Sequence, residues 1–190
     1  MDVAAAGRHG HQSRPVDRAR TRRIALSREI SWDPAITSTT RVSTVVYFSN
    51  EQGCSVTAYR LDRTSGTLSS VQTISTLPAG HSERATCSQI HLTPSGRFLY
   101  VGNRAANSSS IGAFAVDPAA GHLTAAGNIP TEAVPSAFCL DPAGHFLFAA
   151  GTASRRLASY RINQRSGALT PLAIEEVGQR PAAVLATRLG

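Results

Sequence analysis

From about residue 44 the chain alternates short apolar runs with polar turns that contain Gly, and the period inside the runs is two. In residues 110–116, Ile111, Ala113 and Ala115 fall on one side of an extended segment and Gly112, Phe114 and Val116 on the other, as a β-strand requires. The run Leu99-Tyr100-Val101 is short, rich in β formers and bounded by Gly and Asn. Between runs stand DRTSG, TPSG, DPAAG, DPAG and NQRSG. In such turns Pro presets φ, Asp or Asn bonds the turn backbone, and Gly supplies positive φ. The pattern predicts strands over 43–49, 55–61 and 67–75, then over 88–93, 97–102, 110–116 and 122–128. A third group follows over 135–140, 145–150, 156–162 and 168–174, and a last strand over 181–188.

These groups are copies of one another. VVYFSNEQGCSVTAYRLDRTSGTLSSVQTIS, FLYVGNRAANSSSIGAFAVDPAAGHLTAAGNIP and FLFAAGTASRRLASYRINQRSGALTPLAIEEV align turn for turn. Their turn glycines, Gly66, Gly121 and Gly167, lie 55 and 46 residues apart, and Tyr59, Phe114 and Tyr160 match. Four short antiparallel strands per repeat of about 45–50 residues is the arithmetic of a propeller blade. The expected fold is all-β: a partial β-propeller of about three to three and a half four-stranded blades. That count falls short of the roughly four to eight blades a ring needs. It implies either a piece of a larger propeller or a ring completed by a partner, with self-association through open blade faces as a consequence.

Composition sharpens this picture at the N-terminus. Residues 1–41 hold eight of the 19 Arg and lack a sustained period, whereas residues 42–190 are only mildly basic. The first segment reads as a disordered or unrelated basic tail, with Trp32 a chance anchor, and the second as the domain. Arg28, Glu29 and Asp33 stand where the apolar core of an export signal after Arg22-Arg23 would lie, which argues against export. No apolar run is long enough for a membrane-spanning helix. The Arg residues are scattered and lack interleaved aromatics, so no nucleic-acid partner is expected. Cys54, Cys87 and Cys139 form no CxxC and have no metal spacing with the six His. They read as buried thiols in a reducing compartment, and neither metal nor cofactor is expected.

CSQIHLTPSGRFLYVGNR, residues 87–104, resembles the signature region of the β-propeller lactonases, the bacterial propeller-type 6-phosphogluconolactonases related to carboxymuconate lactonizing enzymes. The likeness runs over about residues 44–189 and corresponds to the C-terminal part of a seven-bladed member. It implies a cytoplasmic hydrolase acting on a sugar lactone such as 6-phosphogluconolactone, in the pentose phosphate route. Such chemistry asks for a group that activates water, donors for the developing oxyanion, and a cation for the substrate phosphate, where the planar fork of Arg suits.

Carried over residue by residue, the resemblance implies His91, Arg104 and Glu51 as catalytic and Asn50, Gln89 and Asn103 as substrate-binding. The chain reads Gln89-Ile90-His91 where the family usually has Glu-Ile-His, and Pro135-Ser136-Ala137-Phe138 where it usually has Pro-Arg-Asn-Phe. On a strand Gln89 and His91 share a face. Each residue also has a plainer reading: His91 as a strand histidine bonded to a neighbouring loop, Arg104 as the partner of an acid at the blade rim, Glu51 as a solvated turn residue. His81 and Glu83 stand in a long connector, a common place for function as well as for solvation. The alternative to the enzyme is a catalytically inactive truncated propeller serving as a binding or interaction module.

Overall fold

The computed structural model describes residues 44–189, so the tail expected over 1–41 and Trp32 lie outside the described residues. Eleven strands form three antiparallel sheets. The first holds β1 (Thr44–Asn50), β2 (Ser55–Leu61) and β3 (Leu68–Ser75). The second holds β4 (Ala85–Leu92), β5 (Phe98–Ala105), β6 (Ser110–Val116) and β7 (Leu123–Pro130). The third holds β8 (Pro135–Leu140), β9 (Phe146–Gly151), β10 (Arg156–Ile162) and β11 (Leu169–Glu176). Each sheet is a meander, every strand bonded to its neighbour in sequence. The predicted strands are present within three residues at each end, with one exception.

That exception is 181–188, which is irregular chain. It lies near the end of β9, where Thr152 Oγ1 donates to Pro181 O at 3.4 Å. A strand needs a ladder partner, and no further strand stands beside this segment among the described residues. Pro181 also has no N–H to give.

The turns are built by the repeated chemistry. Asp62, Asp117 and Asn163 each accept two backbone N–H bonds through Oδ1, from residues two and three further on. Gly66, Gly121 and Gly167 close these turns, each N–H donating to the carbonyl of that Asp or Asn at 2.8 Å. Gly121 and Gly167 are required twice over. Their φ is 73° in both cases, and a Cβ on either would run into Val45 or Phe98 of the preceding sheet.

The core lies between the sheets. On β5, Leu99 and Val101 join Val56, Cys87, Phe114 and Leu123 in a cluster between sheets one and two. Phe98 and Tyr100, one residue out of phase, join Phe138, Leu147, Ala158 and Tyr160 in a cluster between sheets two and three. The second sheet is therefore a central blade buried on both faces, which is why its pattern is apolar on both sides of the alternation. The stacking is pinned by a repeated bond. Tyr47 OH donates to Gly121 O and Tyr100 OH to Gly167 O, each at 2.8 Å. The matching position on β9 is Phe148, which has no hydroxyl.

Candidate active site

The first strands of sheets two and three, β4 and β8, lie against each other and form the inner wall. Both carry a bulge, at Ser88-Gln89 on β4 and at Ser136 on β8. A bulge turns side chains away from the regular alternation. Val134, just before the second one, takes a φ of 57°, unusual for a β-branched residue.

Gln89 and His91 share a face of β4, as expected from the alternation, and stand side by side. Gln89 is exposed, and its Oε1 accepts the Phe138 N–H at 2.9 Å while lying 3.5 Å from His91 Nε2. The His91 ring packs edge-on to Phe138 at 4.6 Å between centroids. Ile90 turns the other way, against the cluster between sheets one and two. Burial pushes the His91 imidazole below its usual pKa, and a weaker backbone hydrogen bond to Phe138 works against that. The shift favours the neutral form of the ring.

Glu51 and Arg104 meet at the rim, where β1 and β5 end. Arg104 donates to Glu51 Oε1 at 2.7 Å and to Cys87 O at 2.9 Å, while its buried Nε has no partner. Glu51 is 59% exposed, so the pair contributes at most about 1 kcal/mol to stability. Arg104 faces Thr86 in the ladder, and His91 faces Tyr100. Four residues of β5 separate the two positions, about 13 Å along the strand. The structure thus forms two groups, Gln89–His91 on the inner wall and Glu51–Arg104 at the rim, rather than one cluster.

The two asparagines expected at the substrate hold the frame. Asn50 Nδ2 donates to Ser55 Oγ and Thr57 Oγ1 at 3.0 and 2.8 Å. Asn103 is fully buried, its Nδ2 on Thr76 O at 2.8 Å and Ser110 Oγ at 3.2 Å. Neither amide nitrogen is free for a ligand, and Asn103 has no surface to touch one; its buried place follows from a strand packed on both faces. Ser136, half-buried, leaves its position on β8 without a guanidinium. Sequence reasoning missed the bond from Phe138 to Gln89, since 49 residues separate them and no local pattern signals a contact between blades.

A meander of four strands, repeated, stacked face to face and with its first strands inward, defines the β-propeller class. The sequence pattern of the family described as "Lactonase, 7-bladed beta-propeller" matches residues 9–186, and the chain belongs to that family. It is 44% identical over 135 residues to a 6-phosphogluconolactonase of Pectobacterium carotovorum, covering 71% of this chain and 40% of that protein. Against a 6-phosphogluconolactonase of Yersinia enterocolitica the identity is 36% over 137 residues, 72% of this chain and 40% of the relative. Among solved structures it resembles a periplasmic gluconolactonase of Pseudomonas aeruginosa, with 30% identity and a TM-score of 0.66 over 71% of this chain and 37% of that one. A protein from Lactobacillus plantarum matches with 27% identity and a TM-score of 0.68, over 73% of this chain and 40% of that one. The chain therefore spans about two-fifths of the length of the curated relatives it matches.

Proposed function

We propose that this chain acts as a lactonase, hydrolysing the ring ester of a sugar lactone such as 6-phosphogluconolactone, a reaction of the pentose phosphate route. The observation that carries this reading is the Gln89–His91 pair on the inner wall of a lactonase-family propeller. Water adds to the lactone carbonyl as neutral His91 takes its proton. The bond from that carbon to the ring oxygen then breaks, and the proton passes to the departing oxygen, leaving the open hydroxy acid. Gln89, tied to the Phe138 backbone, orients the imidazole; it supplies no second proton carrier, because an amide does not ionise. Arg104, released from Glu51, supplies the guanidinium for an anionic group of the substrate, while Asn50 and Asn103 hold the strand ends around it through their bonds to Ser55, Thr57, Thr76 and Ser110. The free thiols of Cys54, Cys87 and Cys139 are in keeping with a cytoplasmic setting.

The test is proton release from 6-phosphogluconolactone and from glucono-1,5-lactone, followed against the spontaneous rate. Hydrolysis above background that falls at least about a hundredfold in His91→Ala supports the reading. A rate equal to background with both lactones rejects it and leaves the non-catalytic module.

A further inference from the structure

The first strands of the three sheets carry no charge. No residue of β1, β4 or β8 is Asp, Glu, Lys or Arg, so the wall that holds Gln89 and His91 offers hydroxyls, an amide and an imidazole. Charge enters where the strands end. Glu51 directly follows β1, and its carbonyl accepts the Cys87 N–H of β4 at 2.9 Å. Arg104 reaches from β5 to the carbonyl of the same Cys87, also at 2.9 Å. Both residues are therefore anchored to one residue of the inner wall. That anchoring brings Glu51 Oε1 and Arg104 Nη2 to 2.7 Å, from two different blades.

The pair decides what Arg104 can offer an incoming anion. Nη2 has two hydrogens, and both are in use, one on Glu51 and one on the Cys87 carbonyl. The Arg104 side chain is 26% exposed, so a ligand can reach its head. An anion then meets the guanidinium in one of two ways. It displaces Glu51 from Nη2, or it takes Nη1 with the Glu51 carboxylate close by. The first breaks a charge-assisted bond, and the second sets like charges side by side. A phosphate with close to two negative charges meets both penalties in full. A lactone without phosphate meets neither, because its hydroxyls donate to the Glu51 carboxylate and leave the pair standing. The exposed carboxylate has little part in stability, so its effect falls on what Arg104 binds.

We propose that Glu51 is the charge-selecting residue of this site. Its carboxylate competes with the substrate for Arg104, and so favours an unphosphorylated sugar lactone over the corresponding 6-phosphate. This rests on the lactonase reading for its substrate, and concerns how Glu51 ranks two lactones rather than whether either is hydrolysed.

The experiment compares the full chain with Glu51→Gln in two readouts. One is KM and kcat for 6-phosphogluconolactone and glucono-1,5-lactone. The other is calorimetric binding of D-glucose 6-phosphate, a ring analogue with no ester to hydrolyse. Glu51→Gln should lower KM for the phosphorylated lactone, relative to the neutral one, by at least about fivefold, and tighten glucose 6-phosphate by a similar factor. The shift should appear in the ratio of KM values and not in the ratio of kcat values. Glu175→Gln makes the same change of net charge on the edge strand β11 and should move neither readout. The gain should vanish when Arg104→Gln is added to Glu51→Gln. An unchanged KM ratio in Glu51→Gln overturns the inference, as does an equal gain in Glu175→Gln or a gain that survives the loss of Arg104. Thermal melts establish that each variant keeps its fold; if the double variant does not, the comparison of Glu51→Gln with Glu175→Gln decides alone. If neither lactone is hydrolysed, the lactonase reading fails and the glucose 6-phosphate titration still decides the role of Glu51. Equal binding there, or none in either protein, overturns it.

Discussion

At the scale of single residues the inner wall is decided by one amide. Gln89 spends its oxygen on the Phe138 N–H and stands beside His91. Replacing it with Glu keeps the acceptor and adds a charge, so Gln89→Glu should raise the His91 pKa, which NMR titration of the ring reads directly. An unmoved pKa would mean the two side chains do not face each other in solution. The depressed His91 pKa also has a sign for stability. The folded state binds the proton less readily than the unfolded chain, so the unfolded chain gains protons first as pH falls. The contribution of a neutral His91 is full above the ordinary value of 6.5 and is lost as pH drops from there toward the lower folded value. Denaturant midpoints at pH 7.5 and 5 should differ in that direction, and His91→Gln should remove His91's share of the difference.

At the scale of elements, hydrogen bonds between blades set the register of the stack. The Tyr100 hydroxyl is buried on Gly167 O, and Tyr100→Phe should cost about 1 kcal/mol while leaving the strands intact. Asn103→Ala removes one of two donors to the Thr76 carbonyl and should cost about 1–3 kcal/mol. Chemical denaturation checks both: a midpoint unchanged in Asn103→Ala would mean that the connector after β3 is held elsewhere. Strands β1 to β11 were legible because alternation and turn chemistry are local. The stretch 181–188 was not, because its pattern suits a strand but its strand state needs a partner that no local signal provides.

At the scale of the molecule, the clusters on either face of the second sheet couple the three blades. Phe138 is 1% exposed at the junction of sheets two and three, so Phe138→Ala should cost about 3–5 kcal/mol and lower the midpoint of both sheets together. Separate transitions for the two sheets, seen by hydrogen exchange, would count against one cooperative core. Leu172 and Ile174 on the edge strand β11 are 47% and 57% exposed, and an exposed apolar edge favours association. Light scattering should find species larger than a monomer as concentration rises; a monomer at every concentration removes that expectation.

Read alone, the sequence determined the all-β class, the blade repeat, the turn glycines and the resemblance to the lactonases, because each is written in spacings of a few residues or in a repeat of them. It also put Gln89 and His91 on one face. Only the tertiary structure decided that Arg104 finds Glu51 across 53 residues and that Asn103 is sealed inside. Those outcomes depend on how one blade stacks on the next. Stacking is governed by the shapes of whole sheet faces and by contacts between residues far apart in the chain, which a period of two does not encode.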